Sequence, residues 1–438
     1  MNVAVLQLSI GKTRLGKLFQ FFNGTAEPIV RFVADESYIA LPDPPMLSLS
    51  MVAGDSERQK AFWNDVTRQA AFNGTNGRMP AYFQNLLPEG VFLRHIAELR
   101  GCGINEHFNL LAACAGDLPG AILAEPIELN GKELARLVTQ NNDALEMSVT
   151  ADPLPLGVSI SGVQPKIGLI EEGGRYILRR KNGVTRIIGK LPQIDRELLP
   201  EVEFLSMALA KAAGVAVCDL TLEPLTKLDI EHGYTIGGSS NFLAVKRFDR
   251  EGVKRVHCED FAQAMGVDPQ LKYNGSTYAA MAALMMKYSS MGEEAVHQLL
   301  RQITVNELIG NYDAHLKNFC VLYPDGRQPT LAPAFDIVAW SVYLDGHGSA
   351  LALYRDDAAV ADKKSAQLVT PSRLREFCSR AGIQEQPAAA VIKETVKLAS
   401  EHWFAMIEAS PLLEKQKARL LRRLKSNPYL SKYLTEKE

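Results

Sequence analysis

The chain lacks a cysteine framework, a strong charge of either sign and any long apolar run. Its six cysteines (Cys102, Cys114, Cys218, Cys258, Cys320 and Cys378) are scattered, with no C-x-x-C pair. That excludes a disulfide scaffold and a local zinc motif, and it suits reduced, buried thiols. Lysine and arginine (48) nearly balance aspartate and glutamate (50), for a net charge of −2. The molecule as a whole therefore has no electrostatic pull toward nucleic acid, and DNA would be reached only through a local patch or a partner. No apolar stretch reaches the roughly 18–20 residues that span a bilayer, and the first residues carry no basic region leading into an apolar one. These absences predict a soluble, cytoplasmic protein with no membrane association. Internal repeats, low-complexity segments, a G-x-G-x-x-G loop and a Walker A motif are missing as well.

What is present is enough chain for two or three domains, since 438 residues exceed what one core usually holds. Residues 1–125 read as a first subdomain. Val3–Leu8, Leu15–Phe22 and Pro28–Val33 are strand candidates, and from about 56 to 125 apolar residues recur at helical spacing. The polar stretch 126–155, with Pro126, Pro153 and Pro155, reads as a connection. It opens a second segment, 126–248, that is β-rich. Lys166–Ile170 leads through Gly173-Gly174, a hairpin turn, to Tyr176–Arg179, and Thr185–Leu191, Leu220–Glu223 and Asn241–Phe248 continue the sheet. An amphipathic helix, Glu201–Ala213, stops at Gly214. Residues 249–438 read as mainly helical, with Met281, Met285 and Met286 as core packing and Lys415–Lys425 as a basic, solvated helix face. The fold class that follows is α+β and bilobal, kinase-like, with a β-rich N-terminal lobe of two subdomains and a helical C-terminal lobe. A nucleotide would sit in the crevice between them.

The chemistry concentrates in Asp313-Ala-His315-Leu-Lys317-Asn318 and Phe335-Asp336-Ile337. One aspartate to orient or deprotonate a hydroxyl, and an asparagine and second aspartate to hold Mg²⁺ against ATP phosphates, are the polar equipment of phosphoryl transfer. Asp336 lies in apolar sequence, where a carboxylate is costly unless a metal or partner compensates it. Lys317 is a candidate for neutralising the transferred phosphate, and His315 for fixing the loop; both read equally as loop solvation. Lys190, on a strand with apolar neighbours, is a candidate for the α- and β-phosphates, with Glu203 on the next helix as its ion-pair partner. Ser159-Ile-Ser161-Gly162-Val163-Gln164-Pro-Lys166 reads either as a plain turn or as a phosphate-holding loop. Arg247-Phe248, where the two lobes join, offers backbone to an adenine edge, with Phe248 as core.

On these residues the sequence resembles the HipA family, the kinase toxins of bacterial toxin–antitoxin pairs. Phe83–Gly90 and Leu110–Ala121 are similar to signatures of the family's N-terminal subdomain. Ser159–Lys166, Ile187–Pro192, Val245–Arg250, Asp313–Asn318 and Pro333–Asp336 then follow in the family's order. The resemblance covers nearly the whole chain, and its fold is related to that of phosphoinositide-type kinases. It implies a serine/threonine protein kinase using ATP and Mg²⁺, with Asp313 catalytic and Asn318 and Asp336 as metal ligands. Lys190 would lie on the nucleotide phosphates, Arg247-Phe248 at the adenine hinge, and Ser161, Gly162, Val163, Gln164 and Lys166 in the phosphate loop. Ser159 or Ser161 would be autophosphorylated, placing about −1.5 to −2 charge where ATP phosphates must sit and silencing the enzyme. The implied partners are a small helix-turn-helix antitoxin (HipB-like), operator DNA through it, and a protein substrate of the aminoacyl-tRNA synthetase kind. The chain departs from some relatives at Lys246, where they are acidic, and at Pro165, which stiffens the phosphate loop. A lipid or small-metabolite kinase and a catalytically silent corepressor are the alternative readings.

Overall fold

Alternating apolar and polar residues at the start of the chain form three antiparallel strands, β1 (Ala4–Ile10), β2 (Thr13–Phe21) and β3 (Ile29–Ala34). A fourth, β4 (Ile122–Pro126), pairs with the free edge of β1, giving the order β3-β2-β1-β4. The computed structural model describes residues 3–22, 27–74, 77–128, 164–178, 184–232, 234–345, 349–355 and 369–430. Helices Ser56–Asn64, Gly90–Arg100 and His107–Cys114 share a core with this sheet. Its centre is aromatic, with Trp63 stacked on Phe72 at 5.3 Å and Phe32 against both. The sequence reading had helix up to residue 125. Ile122–Pro126 is a strand instead because its partner, β1, lies at the other end of the subdomain, where local periodicity carries no trace of it.

The second sheet has the order β6-β5-β7-β9-β8, from β5 (Lys166–Glu172), β6 (Arg175–Leu178), β7 (Ile187–Lys190), β8 (Leu220–Pro224) and β9 (Asn241–Lys246). The β5–β6 turn is made by Gly173 (φ 59) and Gly174 (φ 76), both in the left-handed region that such two-residue turns require. Helix Leu199–Ala212 packs on β9 and β8. Its buried residues merge into one core with helices Tyr278–Met286, Gly292–Ile309, Pro371–Ala381, Glu385–Glu408 and Glu414–Ser426. Trp403, fully buried in that core, donates its indole N–H to the carbonyl of Leu209 at 2.9 Å. The β-lobe and the helical lobe are thus joined by packing as well as by chain.

The third segment is not helical throughout. A hairpin, β10 (Arg250–Glu251) with β11 (Lys254–Arg255), precedes a small sheet of β12 (His257–Asp260), β13 (Cys320–Tyr323) and β14 (Thr330–Leu331). These strands are two to four residues long, and several helices separate β12 from its partner β13 in the chain. Met281 and Met285 are buried, as expected. The C-terminal basic helix buries Leu420 and Leu424, but several of its cations are not merely solvated, Arg423 above all. Arg423 donates to the carbonyls of Leu308 (3.0 Å) and Glu307 (2.6 Å) and to the Tyr312 hydroxyl (2.9 Å). None of the six cysteines is in a disulfide, and five are buried. Among the described residues no helix is long and apolar enough to cross a membrane.

Candidate active site

Helix Gly292–Ile309 ends at Gly310, whose φ of 73° turns the chain into the segment 311–318. A Cβ here would come within 2.8 Å of the Arg423 Nε, so the position has no room for a side chain. Beyond it the loop is closed on itself. Asn318 donates from Nδ2 to the Asp313 carbonyl at 2.7 Å, and the His315 amide donates to the same carbonyl at 2.8 Å. The Asp313 side chain stays 42% exposed. Burial by the surrounding protein and the charge of Asp336 raise its pKa, while the hydrogen bond from Tyr273 and the charges of Lys272 and Lys166 oppose the rise. Its Oδ1 accepts a 2.6 Å bond from the Tyr273 hydroxyl and lies 3.9 Å from His315 Nε2. His315 is buried, and burial lowers its pKa to about 3, so the ring is neutral.

Asp336 stands at φ 58°, one of two non-glycine residues with positive φ among the described ones. The segment before it is pinned to the β-lobe by the Cys218 amide, which donates to the Ala334 carbonyl at 2.9 Å. The turn at Asp336 delivers its carboxylate to two buried lysines that face each other across β5 and β7 in register, Lys166 and Lys190. Lys190 bonds both Asp336 and Glu203, the partner proposed from sequence, and Lys166 lies 3.9 Å from Asp336. Burial alone would push Asp336 up, but the two ammonium groups outweigh it and hold it well below the usual carboxylate range. Burial disfavours the Lys190 charge, yet Asp336 and Glu203 more than offset it and raise its pKa. Burial dominates at Lys166, which is lowered. Lys190 and Asp336 therefore form an ionised pair.

Donor chemistry at Asn318 and Asp336 suits Mg²⁺. Asp336 is a carboxylate held in its charged form. The bond from Asn318 Nδ2 fixes which end of that amide donates, leaving Oδ1 as a second hard oxygen. Among the described residues no group of three or more His, Cys, Asp or Glu forms a metal cage. A site of one carboxylate and one carboxamide is one that a ligand's phosphate oxygens and water would complete, as Mg²⁺ commonly requires.

These groups open on a cleft of about 1040 Å³, solvent at its mouth included. Ile188, Leu220, Val245, Met207, Phe248 and Phe335 are its apolar lining, with the Phe248 and Phe335 rings 5.5 Å apart. Residues 246–249, the end of β9 and the turn after it, join the lobes along it. The Arg247 guanidinium is committed elsewhere. It donates to Asp249 (2.9 and 2.8 Å) and Thr185 (2.9 Å) in a buried network that also holds Asp117, Arg250 and the Gly120 amide. Burial would raise Asp249, but Arg247 and Arg250 hold it at about 2. The first subdomain thus reaches the hinge through Asp117 and Gly120, and it lines the cleft with Asn85, Leu87 and Pro119.

The structure brings together Asp313, His315, Asn318, Asp336, Lys190 and Lys166. Gln164 donates to the Leu191 carbonyl at 3.0 Å, beside Lys190. Ser159, Ser161, Gly162 and Val163 lie outside the described residues. Lys317 is reassigned. Its ammonium bonds Asn85 O and Oδ1 (both 3.0 Å) and Asp260 Oδ2 (2.7 Å), and its side chain is 1% exposed. It ties the first subdomain to the 311–318 loop, with its donors taken up by protein oxygens. Arg247 is likewise a buried network residue, and what it leaves at the hinge is backbone. Sequence reasoning missed Tyr273, Asp260, Asn85 and Glu89. Asn85 and Glu89 sit in the Phe83–Gly90 signature, which could have marked them; a single tyrosine in a polar loop carries no such signal.

Fold and cleft define a two-lobed mixed α/β protein with a kinase-like arrangement of strands, hinge and charged loops. Residues 6–125 match the model of the HipA N-terminal domain, and residues 158–403 match that of the HipA-like C-terminal domain. The chain belongs to the HipA family. It is similar to the putative kinase Y4dM of Sinorhizobium fredii, 32% identical with 88% of each chain covered. It is also similar to the serine/threonine-protein kinase toxin HipA of Shewanella oneidensis, 27% identical over 78% of this chain and 76% of that one. Among solved structures, the Shewanella oneidensis HipA in complex with HipB and its operator DNA shares the fold, with a TM-score of 0.67 and 21% identity over 98% of this chain and 99% of that one.

Proposed function

We propose that this chain is a Mg·ATP-dependent serine/threonine protein kinase and the toxin of a HipA-type pair. One observation carries the reading: Asp313, Asn318, Asp336 and Lys190, from three separate segments, line or adjoin one cleft that apolar side chains also line. Asp313, its pKa raised, receives the proton of the acceptor hydroxyl. The acceptor oxygen bonds the γ-phosphorus as the bond from that phosphorus to the β-phosphate oxygen breaks, and ADP leaves. Lys190, held on Glu203, stays charged and faces the phosphates, and Lys166 adds a second ammonium. Asn318 and Asp336 would hold the Mg²⁺, which supplies charge neutralisation across the phosphate oxygens. The remaining parts of the reading are silencing phosphorylation at Ser159 or Ser161 and a small HipB-like antitoxin that carries the kinase to operator DNA. Family membership supports both, and the net charge of −2 agrees with DNA contact made through a partner.

Intact mass after incubation with Mg·ATP tests it. The wild type gains one or two phosphates that map to residues 159–161, and the double substitution Ser159→Ala/Ser161→Ala gains none there. Unmodified starting protein that gains no phosphate and releases no ADP would overturn the kinase reading.

A further inference from the structure

The catalytic carboxylate is already in contact with a hydroxyl. Tyr273 donates to Asp313 Oδ1 at 2.6 Å, and its side chain belongs to a loop whose Lys272 carbonyl accepts from the Leu316 amide of the catalytic loop at 3.2 Å. The two loops are therefore fixed to each other, while the phenol itself is lightly held. It is 45% exposed, meets the edge of the His315 ring at 5.0 Å and an 82° interplanar angle, and has the Lys272 ammonium 5.4 Å from its centroid. Lys272 is anchored from the first subdomain by Glu89 at 2.7 Å. A general base bonds the proton that it will remove, at hydrogen-bond distance. The group making that bond here is the phenol of Tyr273.

We propose that Tyr273 occupies the acceptor site, its phenol holding the place of the acceptor hydroxyl, and that the acceptor enters by displacing it. The proposal rests on the reading of Asp313 as the catalytic base. It also narrows the substrate class. Asp313 and Tyr273 both face solvent, and the wall behind them is the Lys272–Glu89 pair and the buried His315. Such a site takes a hydroxyl presented on a protruding segment of a protein, not a small molecule that must be enclosed. Displacement costs the acceptor one hydrogen bond and a ring edge contact, so the tyrosine sets a threshold that a well-docked segment passes and water passes poorly.

The experiment compares wild type with Tyr273→Phe, which keeps the ring and deletes the hydroxyl. ADP release with water as acceptor and transfer to dephosphorylated casein are both measured with Mg·ATP. The variant is expected to release ADP roughly 2- to 10-fold faster, the weight of one net hydrogen bond. Its KM for casein falls by a similar factor while its KM for ATP is unchanged, a split that a merely structural change would not produce. Adding Asp313→Asn removes the gain. Wild-type activity with Tyr273→Phe equal or slower overturns the inference and leaves the kinase reading standing. Phosphate mapped to Tyr273 also overturns it, since the phenol would then be an acceptor and not its stand-in. No transfer to water, to casein or to the chain itself by wild type removes both.

Discussion

At the scale of single residues, Lys317 separates two accounts of a lysine beside a candidate catalytic aspartate. A cation meant for a developing phosphate charge needs a free donor, and this one has its donors on Asn85 and Asp260. Removing one partner of a buried ion pair leaves the other uncompensated, at a cost of about 3–5 kcal/mol. Lys317→Met should therefore lower unfolding free energy in urea by about that much, with the loss accompanied by loosening of the first subdomain. A variant of normal stability with only a raised KM for ATP would return Lys317 to the phosphate. Its neighbour His315 illustrates the converse. A histidine pushed down to about 3 is neutral across the physiological range and serves as a wall, not as a proton carrier.

At the scale of elements, the hinge takes its shape from a network that no local reading contains. Asp117, fully buried, accepts from Thr185, Arg247 and Arg250, residues on two other segments. Gly120 sits so close to β12 that a Cβ would lie 2.6 Å from the Cys258 amide nitrogen. Asp117→Ala should cost about 3–5 kcal/mol, as for any broken buried charge cluster, and should weaken ATP binding in protein that remains folded. Calorimetric titration below the melting transition reads the second effect. Unchanged affinity would show that the cleft keeps its form without the first subdomain's carboxylate.

The same elements show what the sequence made legible. Asp336 stood out because a carboxylate amid apolar residues carries its cost in plain view, Asp313 and Asn318 because their types and spacing match the needs of phosphoryl transfer, and the Gly173-Gly174 turn because only left-handed backbone fits it. The Lys190–Glu203 pair was also legible, from an isolated lysine on a strand followed by an amphipathic helix. β4 and β12 to β14 were not, since each is short and β4, β12 and β13 pair with strands distant in the chain. Tyr273 was invisible for a related reason: its meaning lies in the one bond to Asp313, forty positions away in the chain.

At the scale of the whole molecule, the first subdomain is joined to the rest by polar groups as much as by packing. One joint is titratable. Glu259 on β12, 1% exposed, accepts from the Ser48 hydroxyl (2.6 Å), the Leu49 amide (2.9 Å) and the Tyr323 hydroxyl. Burial raises its pKa from 4.5 to about 7, against the pull of those three donors. A carboxyl with a raised pKa binds its proton more tightly when folded, so its stabilisation is complete below about 4.5 and is lost as pH rises through about 7. The shift corresponds to about 3 kcal/mol. Melting temperature should therefore fall between about pH 5 and pH 8, and Glu259→Gln should flatten that fall. An equal fall in the variant would place the titrating group elsewhere.

The measurement that bears most directly on the central claim is ADP release from Mg·ATP by wild type and by Asp313→Asn, with ATP binding measured on the same samples. The account predicts that both proteins bind ATP and that the substitution slows release by about 10²- to 10⁴-fold, the usual weight of a general base. Equal rates in the two proteins, or ATP bound but never turned over by wild type, would contradict it.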